Sequence, residues 1–445
     1  MPMNPKPEIR RRYSGLALVW VVQVLLFIAS VVFTQAFREE ESLAGTMLLA
    51  ARLGALAATV ACVYFPSVTI ALCVVTTVAI FEPCLPVGDL YSEAFFLLGS
   101  GILWFRAGRP RLGLTSVLFL MVAACFAYNF ARDAHAENNI ILSKLCLFYV
   151  CAGVFSCIGT SNVGRSIKWP LVAMSAGVAA SLSVIASIVW CYVYSDLSVL
   201  GLAGSGRLGA MSLESGNSAA AGWATGVLAW GVYAACGGRW WKAIVGGVVC
   251  LVGVILTRAM GASIVLMLCL PFVLQRRLGT ARLFWCIAIG AIALISAFTV
   301  VERGVSSMFS VEDKDLKTLS SRTLVWKMTV DAVIAQPTGH TMSEWRRKGL
   351  EENQGNRTVA LTPHNAVLQA AAYGGGVGFI SCLSVMLLVV YKPLSRLRYY
   401  RSWSLLSVFT SLSLLTVDVW YFYPMLMLSM YNAPQADIVY YQRTT

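Results

Sequence analysis

The stretch Ser321-Arg322-Thr323-Leu324-Val325-Trp326 opens a densely charged segment that closes with Pro363-His364-Asn365. A turn sequence, Pro337-Thr338-Gly339-His340, lies inside it. Strongly hydrophobic stretches flank the segment on both sides, and most of the chain is apolar enough for lipid. The stretch from Ser321 to Gly378 is therefore where we expect the chemistry of the protein to be assembled. Its first part belongs to residues 302–363, called here the polar segment.

The composition is that of a membrane protein with many spans. Of the 445 residues, 58% are hydrophobic and 12% are charged, and the mean hydropathy is +0.72. A soluble domain carries about 25% charged residues. We therefore predict an all-α polytopic integral membrane protein with about 12–14 transmembrane helices, at about 20 residues for each crossing.

Apolar runs of the required length divide the chain into three parts. The runs lie at 15–36, 44–65, 67–82, 92–105, 113–131, 140–160, 169–195, 217–236, 242–257, 260–275, 282–301, 364–391, 403–416 and 418–431. We expect an N-terminal transmembrane bundle at 1–301 and the polar segment at 302–363. Residues 364–445 are then C-terminal transmembrane helices with a cytoplasmic tail.

The basic residues indicate the orientation in the membrane. With a cytoplasmic N-terminus, more than half of the 34 lysines and arginines fall in inner loops and at the two ends. The short outer loops hold only Arg38, Arg132, Lys144, Arg207 and Arg258. The positive-inside rule counts such residues in short loops, so the polar segment is expected on the outer side. The net charge of +13 is then an orientation signal, and we expect no nucleic-acid binding.

Two outer arginines stand out by their surroundings. Arg258 occupies the turn Thr257-Arg258-Ala259 between two apolar runs, where a lone positive charge requires a counter-ion. Snorkelling to lipid headgroups is the alternative. Arg207 lies in a glycine-rich stretch that leads to Asn217 and could cradle a phosphate, although such stretches are more often simple loops.

Within the polar segment, Ser321 is typical of a helix N-cap. The pattern then predicts an amphipathic helix from Arg322 to Ile334, ended by Pro337. The apolar residues that carry the pattern are Leu324, Val325, Met328, Ala332 and Val333. Residues 344–357 are polar, and we expect them to be mobile.

Pro363 suits the N-terminal edge of the next helix and places His364 in its first turn. The helix dipole there favours a neutral imidazole over an imidazolium. An interfacial histidine with satisfied hydrogen bonds is the structural alternative. Asp418, between two apolar runs, could orient His364 or an acceptor, or it could mark a polar turn. We assign no role to His340.

These motifs resemble a known family. The order Arg322-x-x-x-Trp326, Pro337-x-Gly339, His364-Asn365, then Gly375 and Gly378 resembles the signature region of the bacterial O-antigen ligase and O-antigen polymerase superfamily. The Arg207…Asn217 loop and Thr257–Ala262 look like its two earlier motifs. The family often has a second glycine where this chain has His340, and commonly serine where it has Thr257.

The resemblance implies a transfer of glycan from undecaprenyl pyrophosphate to an acceptor on the periplasmic face of the bacterial inner membrane. We favour a ligase, whose acceptor is a sugar of the lipid A-core, because the one large outer segment lies late in the chain, just before His364. The resemblance implies neither metal nor cofactor, and membrane lipids as surroundings. By position, Arg258 and Arg322 would bind the pyrophosphate and His364 would act on the acceptor hydroxyl. We expect further substrate contacts from Arg207, Asn217, Trp326, Asn365 and Asp418.

The residue types agree with this chemistry. Guanidinium groups bind phosphate oxygens through paired hydrogen bonds, and a neutral histidine, with a pKa near ~6.5, can accept a hydroxyl proton. The acidic residues Glu312-Asp313-Lys314-Asp315 on the expected outer side lie in a solvated charge run, and we expect neither a metal-dependent nor a retaining enzyme. A polymerase of lipid-linked polysaccharide has the same chemistry and a different acceptor. A transporter of lipid-linked sugars would need polar residues deep in several spans, and only Arg52 and Asn129 are clear cases.

Overall fold

The structure is a computed structural model that describes residues 15–29, 67–81, 100–108, 112–133, 140–160, 167–194, 216–235, 238–257, 266, 322–352 and 365–395. Within these ranges all regular secondary structure is helical. The helices are α1 Gly15–Ala29, α2 Val68–Phe81, α3 Leu114–Arg132, α4 Ile140–Thr160, α5 Trp169–Tyr194, α6 Gly216–Ala235, α7 Trp240–Thr257, α8 Arg322–Ala335, α9 Met342–Glu352 and α10 Ala366–Ser395. Residues 100–106 are also helical.

Four of the described helices are long and apolar enough to cross a membrane, namely α3, α5, α7 and α10. The chain is thus an all-α polytopic membrane protein, which confirms the prediction from composition. Several predicted spans lie almost entirely outside the described residues, namely 44–65, 260–275, 282–301, 403–416 and 418–431. The expected total of about 12–14 spans therefore stays a prediction, as do the domain boundaries.

Small residues allow α5, α6 and α7 to pack closely around one tryptophan. The ring of Trp230 on α6 lies against Gly177 of α5, where an added Cβ would meet the ring at 2.8 Å, and against Gly246 of α7, where a Cβ would overlap it. Its indole Nε1 donates to Ser181 Oγ at 3.1 Å. In lipid, helix association depends on such close packing and on hydrogen bonds between helices.

A buried glutamine joins α1 to the same bundle. Gln23 Nε2 donates to Thr77 Oγ1 of α2 at 3.2 Å and to the Ser175 carbonyl of α5 at 3.1 Å. Because a buried amide without partners costs free energy in an apolar medium, these bonds fix how the three helices meet.

An aromatic cluster joins α3 to α4 and α10. The Phe126 ring of α3 lies 5.4 Å from the Tyr149 ring of α4 and 6.4 Å from the Tyr373 ring of α10. Phe126 and Tyr373 are fully buried. This cluster places the C-terminal half of α3 beside the first part of α10, next to Gly375, where the candidate site lies.

Helix α8 follows the prediction closely in its bounds but only partly in its amphipathic character. Val325, Met328 and Ala332 are buried, as the pattern predicts. The opposite face is not purely polar, because Val330 is 47% exposed and Ile334 is 73% exposed. Apolar residues therefore lie on two faces of α8. Within the described part of the chain, the face with Val330 and Ile334 is not covered by other residues.

The polar stretch expected to be mobile instead contains a helix. Residues Met342–Glu352 form α9, which begins with a capping box. The Thr341 backbone N–H donates to Glu344 Oε2 at 2.9 Å, and the Glu344 N–H donates to Thr341 Oγ1 at 3.2 Å. These reciprocal bonds satisfy two groups that a helix start leaves without helical partners.

Candidate functional site

Helix α10 is broken at Gly375, which has φ 62° and ψ −157° inside an otherwise helical segment. A side chain is strained at such a φ, and here there is also no room for one. A Cβ on Gly375 would overlap the Pro337 carbonyl oxygen and would meet Gly339 N at 2.6 Å. The break therefore depends on glycine both for its backbone angle and for the chain that packs against it.

Residues 336–341, called here the docking turn, fill this break. The His340 backbone N–H donates to the Ala372 carbonyl at 2.9 Å, and the Gly376 N–H donates to the Pro337 carbonyl at 2.8 Å. A broken helix loses partners for its backbone groups, and in a membrane protein such groups must be satisfied within the protein. The docking turn supplies those partners, so the turn and the break form one unit.

Asn129 of α3 closes this unit from the other side. Its Nδ2 donates to the Tyr373 carbonyl at 2.6 Å and to the Thr338 carbonyl at 3.1 Å. Its Oδ1 accepts from Arg132 Nη1 at 3.0 Å, and the residue is fully buried. The partners fix the amide orientation, because carbonyls only accept and a guanidinium only donates.

An ionic network continues from Asn129 to the start of α9. Arg132 Nη2 lies 3.6 Å from Glu344 Oε1, and both side chains are about one-third exposed, so the pair adds little stability by itself. Asp133 Oδ1 accepts from the Ser343 hydroxyl at 2.6 Å. The carboxylate of Glu344, in the first turn of α9, also interacts favourably with the helix dipole. The end of α3 is therefore bound to the docking turn, α9 and α10 together.

His340 is the one histidine among the described residues, and its side chain is fully buried. Its Nε2 lies 3.1 Å from the Ala332 carbonyl, so in the neutral ring this nitrogen carries the hydrogen. Nδ1 then holds a lone pair 3.8 Å from Glu344 Oε2. Burial lowers the pKa of His340, opposed by the Ala332 carbonyl. The residue is thus a neutral packing group at neutral pH, and its buried Nε2 is already bonded to the backbone.

The predicted site residues divide into three groups. Trp326, half-buried on α8, and Asn365 are described with their side chains. Arg322 and Asn217 are described in their helical backbone only, in the first turns of α8 and α6. The others lie outside the described residues, namely Arg207, Arg258, His364 and Asp418.

Asn365 is the N-cap of α10. Its Oδ1 accepts from the Val367 N–H at 3.0 Å and from the Leu368 N–H at 3.1 Å, as an N-cap side chain does. This cap corrects the expected helix start by placing Ala366, rather than Pro363 or its neighbour, at the first helical position. The side-chain oxygen of Asn365 is thus used to cap the helix. The predicted contact of Asn365 with substrate stays a prediction.

The contact between the docking turn and the break in α10 is called here the junction. The sequence motifs did not assign roles to the residues that build it. Asn129 was visible only as a polar residue in an apolar run, and His340 only as a departure from a motif. The Thr341-x-x-Glu344 spacing is a capping-box signal that would have revealed α9. Among the described residues no group of three or more metal-ligating side chains is found, and metal independence stays a prediction.

The comparisons with known proteins concern the same part of the chain. Residues 245–383 match the family model described as O-antigen ligase. This part of the chain is similar to the O-antigen ligase family. This match confirms the resemblance to the O-antigen ligase and polymerase superfamily. The matched range includes the docking turn and the break at Gly375, whereas Asn129 lies outside it. No curated protein and no solved structure matches the chain.

Proposed function

We propose that the protein is an O-antigen ligase, which transfers a glycan from undecaprenyl pyrophosphate to a sugar of the lipid A-core. The observation that carries this proposal is the family match over residues 245–383. That range contains Arg258, Arg322 and His364, the residues to which the resemblance gives roles in the reaction. The multi-pass helical architecture agrees with a donor held in the membrane by its lipid.

The proposed reaction is a displacement at the anomeric carbon of the donor. The acceptor hydroxyl oxygen forms the new glycosidic bond while its proton passes to His364. The bond between the anomeric carbon and the phosphate oxygen breaks, and its electron pair leaves with undecaprenyl pyrophosphate. Attack from the face opposite the leaving group inverts the anomeric configuration.

Arg258 and Arg322 bind the pyrophosphate in this proposal. Negative charge grows on the leaving group as the bond breaks, and guanidinium groups stabilise phosphate oxygens through paired hydrogen bonds. Such contacts lower the barrier by a few kcal/mol each, about 3 kcal/mol for one well-placed donor. Two arginines can offset the charge without a divalent ion.

The start of α10 supports the role of His364 as a base. His364 directly precedes Asn365, which caps the helix. The positive end of a helix dipole disfavours a nearby imidazolium, which agrees with the proposed role of His364 as a neutral base. His340 is a poor alternative, because its buried ring is packed and bonded within the junction.

The proposed setting is the bacterial inner membrane, with the site facing the periplasm. The distribution of basic residues supports this orientation through the positive-inside rule. A polymerase of lipid-linked polysaccharide remains the second candidate, because the family match does not distinguish the acceptor.

Transfer by the purified protein tests the proposal. The protein receives undecaprenyl-pyrophosphate-linked glycan and either lipid A-core or a second lipid-linked repeat, with EDTA present throughout. Product on lipid A-core establishes a ligase, and longer lipid-linked chains establish a polymerase. His364→Ala and Arg322→Gln are expected to abolish transfer. Lys327→Gln is the matched control, since it removes an exposed positive charge from the same helix without touching a motif. An absence of transfer to either acceptor by intact wild-type protein contradicts the enzyme proposal.

A further inference from the structure

We propose that Asn129 is a positioning residue for the transfer reaction, acting through the junction between the docking turn and the break in α10. This inference rests on the proposed function, because it concerns the placement of Arg322 and His364. Asn129 itself lies outside residues 245–383, the range that matches the family model. It is part of α3, an apolar membrane helix in which a buried amide is costly unless it is bonded.

The first step is that Asn129 holds two separate segments with one side chain. Its Nδ2 donates to Thr338 O in the docking turn and to Tyr373 O beside the helix break. Tyr373 O lies close to the break at Gly375, where the helical hydrogen-bond pattern is interrupted. Removing the amide therefore loosens the contact between the turn and the break, because both carbonyl oxygens lose the donor that joins them.

The second step is that both segments are the ends of rigid helices. Helix α8 has 14 residues, so Arg322 begins a rod of about 20 Å that ends at the docking turn. The first part of α10 runs from Ala366 to the break, and His364 lies just before its cap. A rotation of about 5° at the junction moves the far end of a 20 Å rod by nearly 2 Å. The helix that carries Arg322 and the helix whose cap follows His364 in the sequence therefore both depend on the geometry that Asn129 holds.

The third step concerns the size of the effect. Misplacement of a reacting group by about 1 Å lowers a rate by about 100-fold, even when the substituted residue is far from the chemistry. Asn129→Leu keeps the side-chain volume similar and removes the donor. We expect it to lower kcat by about 100-fold. KM for the lipid-linked donor should rise by a smaller factor, because displacing Arg322 also weakens its contact with the pyrophosphate.

Gln23→Leu provides a matched control. Gln23 is also a buried amide that joins three membrane helices, but its partners, Thr77 and Ser175, lie away from the junction. It is expected to lower the melting temperature without changing kcat for the folded protein. Asn129→Ser, which retains one donor, is expected to fall between the wild type and Asn129→Leu and also serves if the leucine variant does not fold.

The experiment measures transfer to the acceptor that the wild-type protein uses, together with amide hydrogen exchange of the same samples. In Asn129→Leu, exchange is expected to become about tenfold faster in peptides containing His340 and Gly376, whose N–H groups bridge the junction. Exchange in α5 should not change. Normal kcat in the Asn129 variants, or a loss of kcat matched by Gln23→Leu, overturns the inference. A wild-type protein that transfers nothing overturns the proposed function, and the inference with it.

Discussion

Gly339 and Gly375 meet backbone to backbone, each with a positive φ, of 83° and 62° respectively. A Cβ on Gly339 would lie 2.6 Å from Gly375 N and 2.7 Å from Tyr373 O. Neither position can hold a side chain without separating the docking turn from the break in α10. The two glycines of the family motifs are therefore partners in one contact.

Gly375→Ala is expected to destabilise the protein, by at least about 2 kcal/mol, because a positive φ alone costs about 1–3 kcal/mol for a residue with a side chain. The overlap of the new Cβ with Pro337 O adds to this cost. The melting temperature in detergent measures the effect. Gly376→Ala is the matched control, since its Cβ would lie 3.8 Å from Pro337 O. Equal losses in the two variants would contradict a steric origin.

Gly246→Ala is expected to lower stability through the α5–α6–α7 bundle, by about 1–3 kcal/mol, as overpacking does. Its Cβ would overlap the buried ring of Trp230, whereas a Cβ on the neighbouring Gly247 would lie 3.9 Å from the Trp230 Cβ. Gly247→Ala should therefore be neutral or slightly stabilising, because alanine favours a helix more than glycine does. Thermal unfolding of both variants compares them, and a more stable Gly246→Ala would refute the packing described for Trp230.

Thr341→Ala removes the hydroxyl that caps α9, at an expected cost of about 1 kcal/mol. The Glu344 N–H loses its acceptor at 3.2 Å. Hydrogen exchange should become faster in the first turn of α9 and stay unchanged in α5. Thr341→Ser retains the hydroxyl, so it should behave like the wild type, and a loss as large as that of alanine would show that the methyl group matters instead.

Acid is expected to weaken the junction through His340. Burial holds the pKa of His340 below its ordinary value of 6.5, so just below pH 6.5 the unfolded chain binds this proton more readily than the folded one. The stabilising contribution is full above that pH and is lost as the pH falls through the folded value. Glu344 faces Nδ1 and raises the pKa of His340, which reduces the loss of stability in acid. Lys348 and Arg132 lower that pKa and increase the loss.

The comparison that isolates this effect uses His340→Phe, which keeps an aromatic ring and removes the titration. Melting temperatures of both proteins are measured from pH 7.5 to 5.0. The wild-type value should fall more steeply with acid than that of the variant, which lacks only this group. Parallel curves would show that His340 does not contribute to the pH dependence.

Local patterns in the sequence predicted the helices well. Ser321 and Pro337 flank α8, and the apolar residues between them repeat at helical spacing, so the predicted end at Ile334 is one residue from the observed Ala335. Helix α9 was missed, because its charged composition resembles a loop and only the Thr341–Glu344 pair marks its start. Local spacing is enough for such elements because their hydrogen bonds join near neighbours.

The junction could not be predicted in the same way. Gly339 and Gly375 belong to separate sequence motifs, and neither motif indicates that the two residues are in contact. Asn129 and Tyr373 are 244 positions apart in the chain. A contact over that distance depends on how α3, α4 and α10 pack around Phe126, which no local pattern encodes. The roles proposed for Arg258, Arg322 and His364 come from the resemblance and stay predictions.

The separation of Asn129 from Tyr373 also bears on how the protein is made. A ribosome completes α3 long before it reaches the docking turn or α10, so the Asn129 amide enters the bilayer ahead of its final partners. Thr338 is synthesised first and Tyr373 later. The hydrogen bonds between the docking turn and the break at Gly375 can form only when both segments have been synthesised. Docking of residues 336–341 is therefore a late event in biogenesis, and substitutions there are expected to act on nearly complete chains in the membrane.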